Sequence, residues 1–401
     1  MSWKETCVMD ERLKMITDHL SGDYGATALS RKYGVSRKTI YKWIERYETG
    51  GAEGLVNRSR ARHEQSHAIS EDVEQKILEL KGRWPLWGAP KILVKLREEV
   101  GEDACPCEST VSNVLKRHGL TRKARKRRRA VPSESPLGHC NRSNEVWCAD
   151  FKGWFRTGDG SKCTPLTVTD GHSRYLLRCQ GLSGQTGSEV VQPHFEAMFR
   201  EYGMPEAIRT DNGPPFACAG LGGLTFLSVW WVRLGIRLER ITPGKPQENG
   251  RHERMHRTLK DATANPPRTT MRKQQQAFDE FCREYNTERP HEALGQNPPG
   301  SLYEPSILDY PERLPEQQGY PEEWQSRCVR KGGQMKWNGK DVRLTGALWG
   351  QRVGLKPIED GIWIVYFENL ELGRFDERQM RVIPARRLKK SATTFKPQEN
   401  V

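Results

Sequence analysis

Three acidic residues stand in settings that suit metal-dependent chemistry on phosphate esters. Asp150 lies in Trp147-Cys148-Ala149-Asp150-Phe151-Lys152-Gly153, Asp211 in Arg209-Thr210-Asp211-Asn212-Gly213, and Glu253 in the stretch Pro246 to Arg254. The first two close apolar, strand-like runs, and the third falls on a predicted helix. Three such carboxylates brought together can hold two divalent cations, which clamp the attacking and leaving oxygens of a phosphoryl transfer. An all-carboxylate site suits Mg2+ or Mn2+, so two such ions per active site are the expected cofactors.

The three signals differ in strength. Asp211-Asn212-Gly213 also reads as an ordinary Asx turn. Glu253 is better specified, because residues 253, 257 and 260 share one helix face. That face carries one carboxylate followed by Arg257 and Lys260, two cations suited to phosphate, while Met255, Leu259 and Ala262 fall on the packing side. Glu248 competes for the third role, but it precedes the turn signal Asn249-Gly250 and lacks these partners. Strand alternation turns Val146 and Cys148 to the face that carries Asp150.

The elements that must position these residues form an α/β segment. Strands are expected at 145–151, 165–169, 174–180, 207–210 and 236–241, with helices at 188–202, 224–234 and 250–264. Three consecutive strands followed by helix-linked strands imply a mixed sheet with helices packed on it.

Ahead of this segment the pattern is helical. Leu13, Ile16 and Leu20 stand at helical spacing, Leu29 and Tyr33 follow, Gly34-Val35 turns the chain, and Ser36 caps a helix with Ile40, Trp43 and Ile44 apolar. This is a helix-turn-helix pattern, which aims Arg37, Lys38, Thr39 and Lys42 at a major groove. A second three-helix unit is expected from Ser70 to Arg117, its last helix capped by Ser109 and carrying Lys116 on a polar face. Residues 121–129 (TRKARKRRR) place Arg122, Lys123, Arg125, Lys126, Arg127, Arg128 and Arg129 in a block too charged for a core, hence an extended phosphate-neutralising arm. After the α/β segment, short strands with Asn338-Gly339 and Asp360-Gly361 turns suggest a small β-barrel. The expected divisions are 1–60, 61–120, a basic arm and linker at 121–142, 143–310, 320–388 and a disordered tail at 389–401.

Bulk properties agree. A net charge of +14 and a pI near 9.3 favour a nucleic-acid partner. The 10 cysteines are scattered except for Cys105-Pro106-Cys107, and no signal peptide or long apolar run is present. Free thiols in a reducing cytoplasm are therefore expected. His63, His67, Cys105 and Cys107 are the only candidates for a zinc site. The Cys-x-Cys spacing is too tight for the usual zinc grip, so no zinc is expected there.

Four motifs in fixed order carry a resemblance: Trp147-x-x-Asp150-Phe151-Lys152-Gly153; Thr210-Asp211-Asn212-Gly213; Pro246-Gln247-x-Asn249-Gly250-x-x-Glu253-Arg254 with Arg257-Thr258-Leu259-Lys260; and Tyr285-Asn286-x-x-Arg289-Pro290-His291-x-x-Leu294. Across about 140–305, and more loosely in the helical units, the chain resembles integrase-core transposases of bacterial insertion sequences, within the retroviral integrase superfamily. The resemblance implies a ribonuclease-H-like core and a DDE triad, carried here by Asp150, Asp211 and Glu253. One departure stands out: 41 residues separate Asp211 from Glu253, more than the family's usual spacing. The Gly-rich stretch 219–224 accounts for the excess if it is an insertion before a helix; Glu248 would shorten the gap to 36.

The expected reaction is 3′-end cleavage of a mobile element by water, followed by transfer of the freed 3′-OH into target DNA. Double-stranded DNA (terminal repeats and target) is the expected partner, and both ends must be handled together, so a homo-oligomer on DNA is expected. The sequence leaves open a helper ATPase. It also leaves two rival classes: a catalytically idle DNA-binding repressor, and a ribonuclease-H-type nuclease that only hydrolyses.

Overall fold

The computed structural model describes residues 7–58, 69–121, 140–242 and 246–385. The expected basic arm, His63, His67 and the tail from 389 lie outside them. The chain forms two compact units, Met1–Ser70 and Glu71–Val401.

The first unit holds α1 (Val8–Leu20), α2 (Ala26–Tyr33) and α3 (Arg37–Gly50). Gly34 turns α2 into α3 at φ +64, a left-handed conformation that favours glycine, and Ser36 caps α3 by accepting from Thr39 N–H at 3.2 Å. Met15, Ile16, Leu29, Ile40, Trp43, Ile44 and Leu55 form its core. The apolar stripe expected on α1 is therefore only partly right: Ile16 is buried, but Leu13 and Leu20 are exposed, and Met15 takes the inward place.

The second unit begins with α4 (Glu71–Arg83), α5 (Ala89–Val100) and α6 (Glu108–Arg117). Trp84 and Trp87 stack at 4.4 Å in the turn between α4 and α5. The buried Lys81 ammonium closes that turn by donating to the carbonyls of Pro85 (2.9 Å) and Trp87 (2.7 Å). The cap of α6 is Cys107 rather than Ser109, which sits exposed inside the first helical turn.

Next comes the α/β core: β1 (Val146–Phe151), β2 (Phe155–Arg156), β3 (Lys162–Asp170), β4 (Leu176–Leu182), α7 (Ser188–Tyr202), β5 (Ala207–Thr210), α8 (Phe226–Arg233), β6 (Arg237–Arg240), α9 (Gly250–Thr263) and α10 (Met271–Thr287). β1 pairs antiparallel with β3 and parallel with β5; β3 also pairs antiparallel with β4 and with the short β2, and β5 parallel with β6. The sheet is thus mixed, as expected. Helices cover both faces. Trp147, Ala149, Leu166 and Val168 pack against Val191, Phe195 and Phe199 of α7 and Leu227 and Trp231 of α8. Leu176 and Cys179 pack on the other face against Met255 and Leu259 of α9 and Phe278 and Phe281 of α10. The helical trio joins this core, for Trp87 Nε1 donates to Glu284 Oε1 on α10 at 3.1 Å.

The C-terminal part has β7 (Gln325–Cys328), β8 (Gln334–Trp337), β9 (Lys340–Arg343), β10 (Arg352–Glu359), β11 (Ile362–Phe367), β12 (Leu370–Asp376) and β13 (Arg381–Pro384). Among the described residues its ladder runs β13-β12-β11-β10-β7 beside a β8–β9 hairpin. The pairing does not close on itself, so the antiparallel sheets expected here are present without a closed barrel ladder. Leu221 and Leu224, from the Gly-rich stretch before α8, share one apolar core with Val342, Leu355, Phe367 and Leu372. Gly222 sits at φ +63 where a Cβ would come within 2.8 Å of Leu372 Cδ2. Arg240 donates to the carbonyls of Gly222 (3.0 Å) and Gly223 (2.9 Å).

Candidate active site

The parallel pairing of β1 with β5 sets Ala149 opposite Thr210, which brings the next residues, Asp150 and Asp211, side by side at the ends of the two strands. Asp150 Oδ1 accepts from Phe151 N–H at 2.8 Å, and Oδ2 accepts from the Asn249 side-chain amide at 3.3 Å. Burial, and then the negative charges of Asp211 and Glu253, push the Asp150 carboxyl up to about 7. Asp211 does form the Asx turn its neighbours suggest, its Oδ1 accepting from Gly213 N–H at 3.1 Å. The other oxygen is left for another partner.

Glu253 lies exposed in the first turn of α9, on the flank that also exposes Arg257 and Lys260. Two buried histidines hold that helix to the sheet. Thr167, paired with Asp150 across β1–β3, donates its hydroxyl to the Asp150 carbonyl at 3.1 Å. The same oxygen lies 2.7 Å from His252 Nε2 and 2.6 Å from His256 Nε2. His252 Nδ1 lies 3.0 Å from Thr169 Oγ1. One protonation pattern satisfies all these contacts: both imidazoles carry Nε2–H and donate to Thr167, and Thr169 donates to His252 Nδ1. Burial keeps both rings neutral, lowering His252 to about 3 and His256 to about 2.

Among the described residues, no three His, Cys, Asp or Glu side chains stand at metal-holding spacing. Asp150 and Asp211 adjoin, while Glu253 acts on Asp150 as a charge without touching it. The donor set is nonetheless hard oxygen, and its mutual repulsion is what a divalent cation relieves. Glu248 is engaged elsewhere: its Oε2 accepts from Thr242 N–H at 2.7 Å.

Sequence reasoning gives no role to the side chains of Asn249, His252 and His256, which the structure sets beside Asp150 and its strand, nor to Trp154. Trp154, 60% exposed, stands just beyond β1 with Lys162 Nζ 5.2 Å from its ring. Its position four residues after Asp150 was the available signal. The histidines gave a subtler one: a 252/256 pair four apart on the apolar side of a helix.

Of the residues expected to meet DNA, Arg37, Lys38 and Lys42 are exposed along α3, and Ser109 and Lys116 along α6. Thr39 is half-buried, its hydroxyl 2.9 Å from Ser36 Oγ, so it belongs to the cap as much as to the outer face.

This architecture matches known families segment by segment. A helix-turn-helix domain matches residues 11–63, a homeodomain-like domain 39–115, integrase core domains 141–246 and 234–299, and the IS481 family transposase C-terminal domain 324–382. The fold and sequence define an integrase core preceded by helix-turn-helix units. In these segments the chain is similar to integrase cores and to the C-terminal domain of IS481 family transposases.

An uncharacterized 39.2 kDa protein of insertion element IS476 from Xanthomonas euvesicatoria is 31% identical over 183 residues, 45% of this chain and 50% of that protein. An uncharacterized 31.7 kDa protein of IS407 from Burkholderia multivorans is 29% identical over 182 residues, 45% of this chain and 63% of that one. The chain thus matches between half and two thirds of these relatives' length. Among solved structures, the HTLV-2 integrase catalytic core in complex with magnesium aligns at 15% identity and a TM-score of 0.32, over 40% of this chain and 97% of that one. A simian T-cell lymphotropic virus intasome with PP2A regulatory subunit B56 gamma aligns at 18% and 0.35, over 74% and 97%. No described helix is long and apolar enough to cross a membrane.

Proposed function

We propose that the protein is a DNA transposase that cleaves the 3′ ends of a mobile element and joins them to target DNA, with Asp150, Asp211 and Glu253 as its catalytic carboxylates. The observation that carries this reading is the meeting of Asp150 and Asp211 on adjacent parallel strands, with α9 fixed over them by His252 and His256. The three carboxylates would hold Mg2+ or Mn2+, two ions per site, which when bound activate the attacking oxygen and stabilise the leaving one. The protein's own part is to present paired carboxylates and to aim Arg257 and Lys260 at the phosphates flanking the reacting bond. It also keeps His256 neutral beside Asp150, so that no internal cation competes for the site. Residues of α3 and α6 would read the terminal repeats of double-stranded DNA, and a homo-oligomer would hold both ends.

The test is strand transfer by purified full-length protein, without ATP, from a labelled element-end duplex into a plasmid with Mg2+. Wild type and Glu248→Gln should join DNA, while Glu253→Gln binds but does not. Joining without ATP also dispenses with a helper ATPase. A wild-type protein that binds the ends without cutting them is a repressor, and one that cuts without joining is a nuclease; either result overturns the proposal.

A further inference from the structure

The flank of α9 opposite Glu253 borders a cavity of about 230 Å³. On the helix, Arg251, Met255 and Thr258 line it from the side away from Glu253 and Lys260, and Arg254 lines it from between the two flanks. Lys91 of α5, Arg174, Arg289 and His291 line the rest together with Tyr285. Five cationic side chains therefore converge on one hollow. Arg254 and Glu292 are exposed at its mouth, and Arg174, Arg289 and His291 are partly buried within.

Of the carboxylates lining the cavity, Glu292 acts on Lys91 as a charge from the mouth, and the other two are committed. Asp170 accepts from Asn144 N–H (2.8 Å), Ser173 N–H (2.7 Å) and Ser173 O–H (2.6 Å), and Glu248 accepts from Thr242 N–H (2.7 Å). Among the described residues none of the five cations has an ion-pair partner within 4.0 Å. Lys91 donates to the Pro290 carbonyl, and Arg251 to the Gly171 carbonyl at 3.1 Å, bonds that leave their charge in place. Among the described residues, Arg174 Nε, a buried donor, and His291 Nε2, a donor in one tautomer, have no hydrogen-bond partner. A buried donor without an acceptor costs about 1–3 kcal/mol, so a native cavity holding such donors is shaped for an acceptor that arrives from outside.

The backbone gives a second, independent sign. Arg174 sits at φ +64, in the left-handed region that a residue with a Cβ rarely adopts. Such conformations cluster at ligand clamps, where the surrounding structure imposes them. Here the strained turn is what points Arg174 into the hollow. The neighbouring charges also act on one another. Burial and then Arg289 bring Lys91 down to about 8, and burial with Lys91, Arg289 and Arg174 lowers His291 to about 3.

We propose that this cavity is a phosphate site that grips one phosphodiester of the bound DNA backbone through Arg174, Arg254 and Arg289. Guanidinium forks match phosphate oxygens two at a time, and several such forks need an acceptor with several free oxygens. A protein carboxylate would satisfy one fork and leave the others unpaired. The neighbouring candidate active site favours DNA as the source: Asn249 both lines the cavity and donates to Asp150. The inference rests on the transposase reading, and its role would be to set DNA register against the three carboxylates.

The test compares wild type with Arg254→Gln, a mouth residue, and with the double variant Arg174→Gln/Arg254→Gln, all checked for fold by circular dichroism. Affinity for a labelled duplex is measured against salt, and the melting temperature with and without orthophosphate. Orthophosphate should raise the melting temperature of wild type and not of the double variant, and the slope of log affinity on log salt should fall by about 1–2. Unchanged slopes overturn the proposal; if orthophosphate still stabilises wild type in that case, the site serves free phosphate and not DNA. Strand transfer run alongside separates the two readings. A wild type that joins DNA while both slopes stay equal removes the phosphate site and keeps the transposase; a reduced slope in the variants of a protein that never joins DNA does the reverse.

Discussion

Thr167 and His256 lie 2.6 Å apart, and Thr167 is the residue paired with Asp150 in the β1–β3 ladder. The helix bearing Glu253 is thus fastened to the strand bearing Asp150 through a neutral hydroxyl–imidazole contact one residue layer behind the carboxylates. A neutral fastener suits this place, because it adds no charge to the site proposed to hold cations.

Replacing Thr167 by Val should remove the acceptor of two buried imidazole N–H groups. Loss of about 1–3 kcal/mol in urea unfolding is expected. Strand transfer should fall further than DNA affinity, since the carboxylates lose their mutual placement while the helix-turn-helix surface is untouched. Equal losses in both would show that the contact serves stability alone.

The pH dependence follows from Asp150, raised to about 7 by burial, Asp211 and Glu253. Between its unfolded value near 4 and about 7 the metal-free native state keeps a proton that the unfolded chain has released. Metal-free stability should therefore be greatest below that window and decline as pH rises through it. Mg2+ must displace this proton, so its apparent affinity should climb by about tenfold per pH unit up to about 7 and then level off. Mg2+ titrations by calorimetry across this range check the slope, and Asp150→Asn should abolish it together with high-affinity binding.

Arg37, Lys38 and Lys42 are exposed on α3. Their triple replacement by Ala should leave thermal unfolding unchanged and weaken element-end binding, with a salt slope smaller by about 1 for each DNA phosphate that is no longer neutralised. If specificity for the element end survives unaltered, α3 is not the reading helix.

Leu372→Ala should cost about 2–5 kcal/mol, because Leu372 is fully buried where the C-terminal sheet meets Leu221 and Leu224. Differential scanning calorimetry should then show the core and the C-terminal sheet losing stability together.

Much of this was legible in the sequence because periodicity and caps are local. α2 and α7 begin and end at their flanking glycines, β5 ends where its apolar run meets Asp211, and Ser36 announced α3. The carboxylate pair was legible because two strand-closing Asp residues needed only a parallel pairing to meet. What escaped depends on partners distant in sequence. α10 carries Gln274 and Asn286 on its buried side, polar residues that dilute its apolar stripe. Their partners are backbone groups of other elements: Gln274 donates to the Thr263 carbonyl (2.9 Å) and accepts from Arg268 N–H (2.9 Å), and Asn286 donates to the Leu176 carbonyl (3.0 Å) and accepts from Leu176 N–H (2.8 Å). The spacing of His252 and His256 puts them on the packing side of α9 but does not say what they bond, which is clear only when Thr167 and Thr169 are placed beside them. Arg174 gives no local sign of a left-handed backbone, and the cavity it enters is assembled from α5, the β3–β4 turn, α9 and the segment after α10.

The Leu221–Leu224 segment makes the gap between Asp211 and Glu253 a mark of inheritance. Those leucines are buried only because a C-terminal sheet covers them. A chain that kept the long gap and lost the sheet would turn an apolar patch to water, and one that kept the sheet and lost the gap would leave holes in its core where Leu221 and Leu224 sit. The two features therefore have to be gained and lost as one unit, and in related chains the residue count between the second and third carboxylates should foretell whether such a sheet follows.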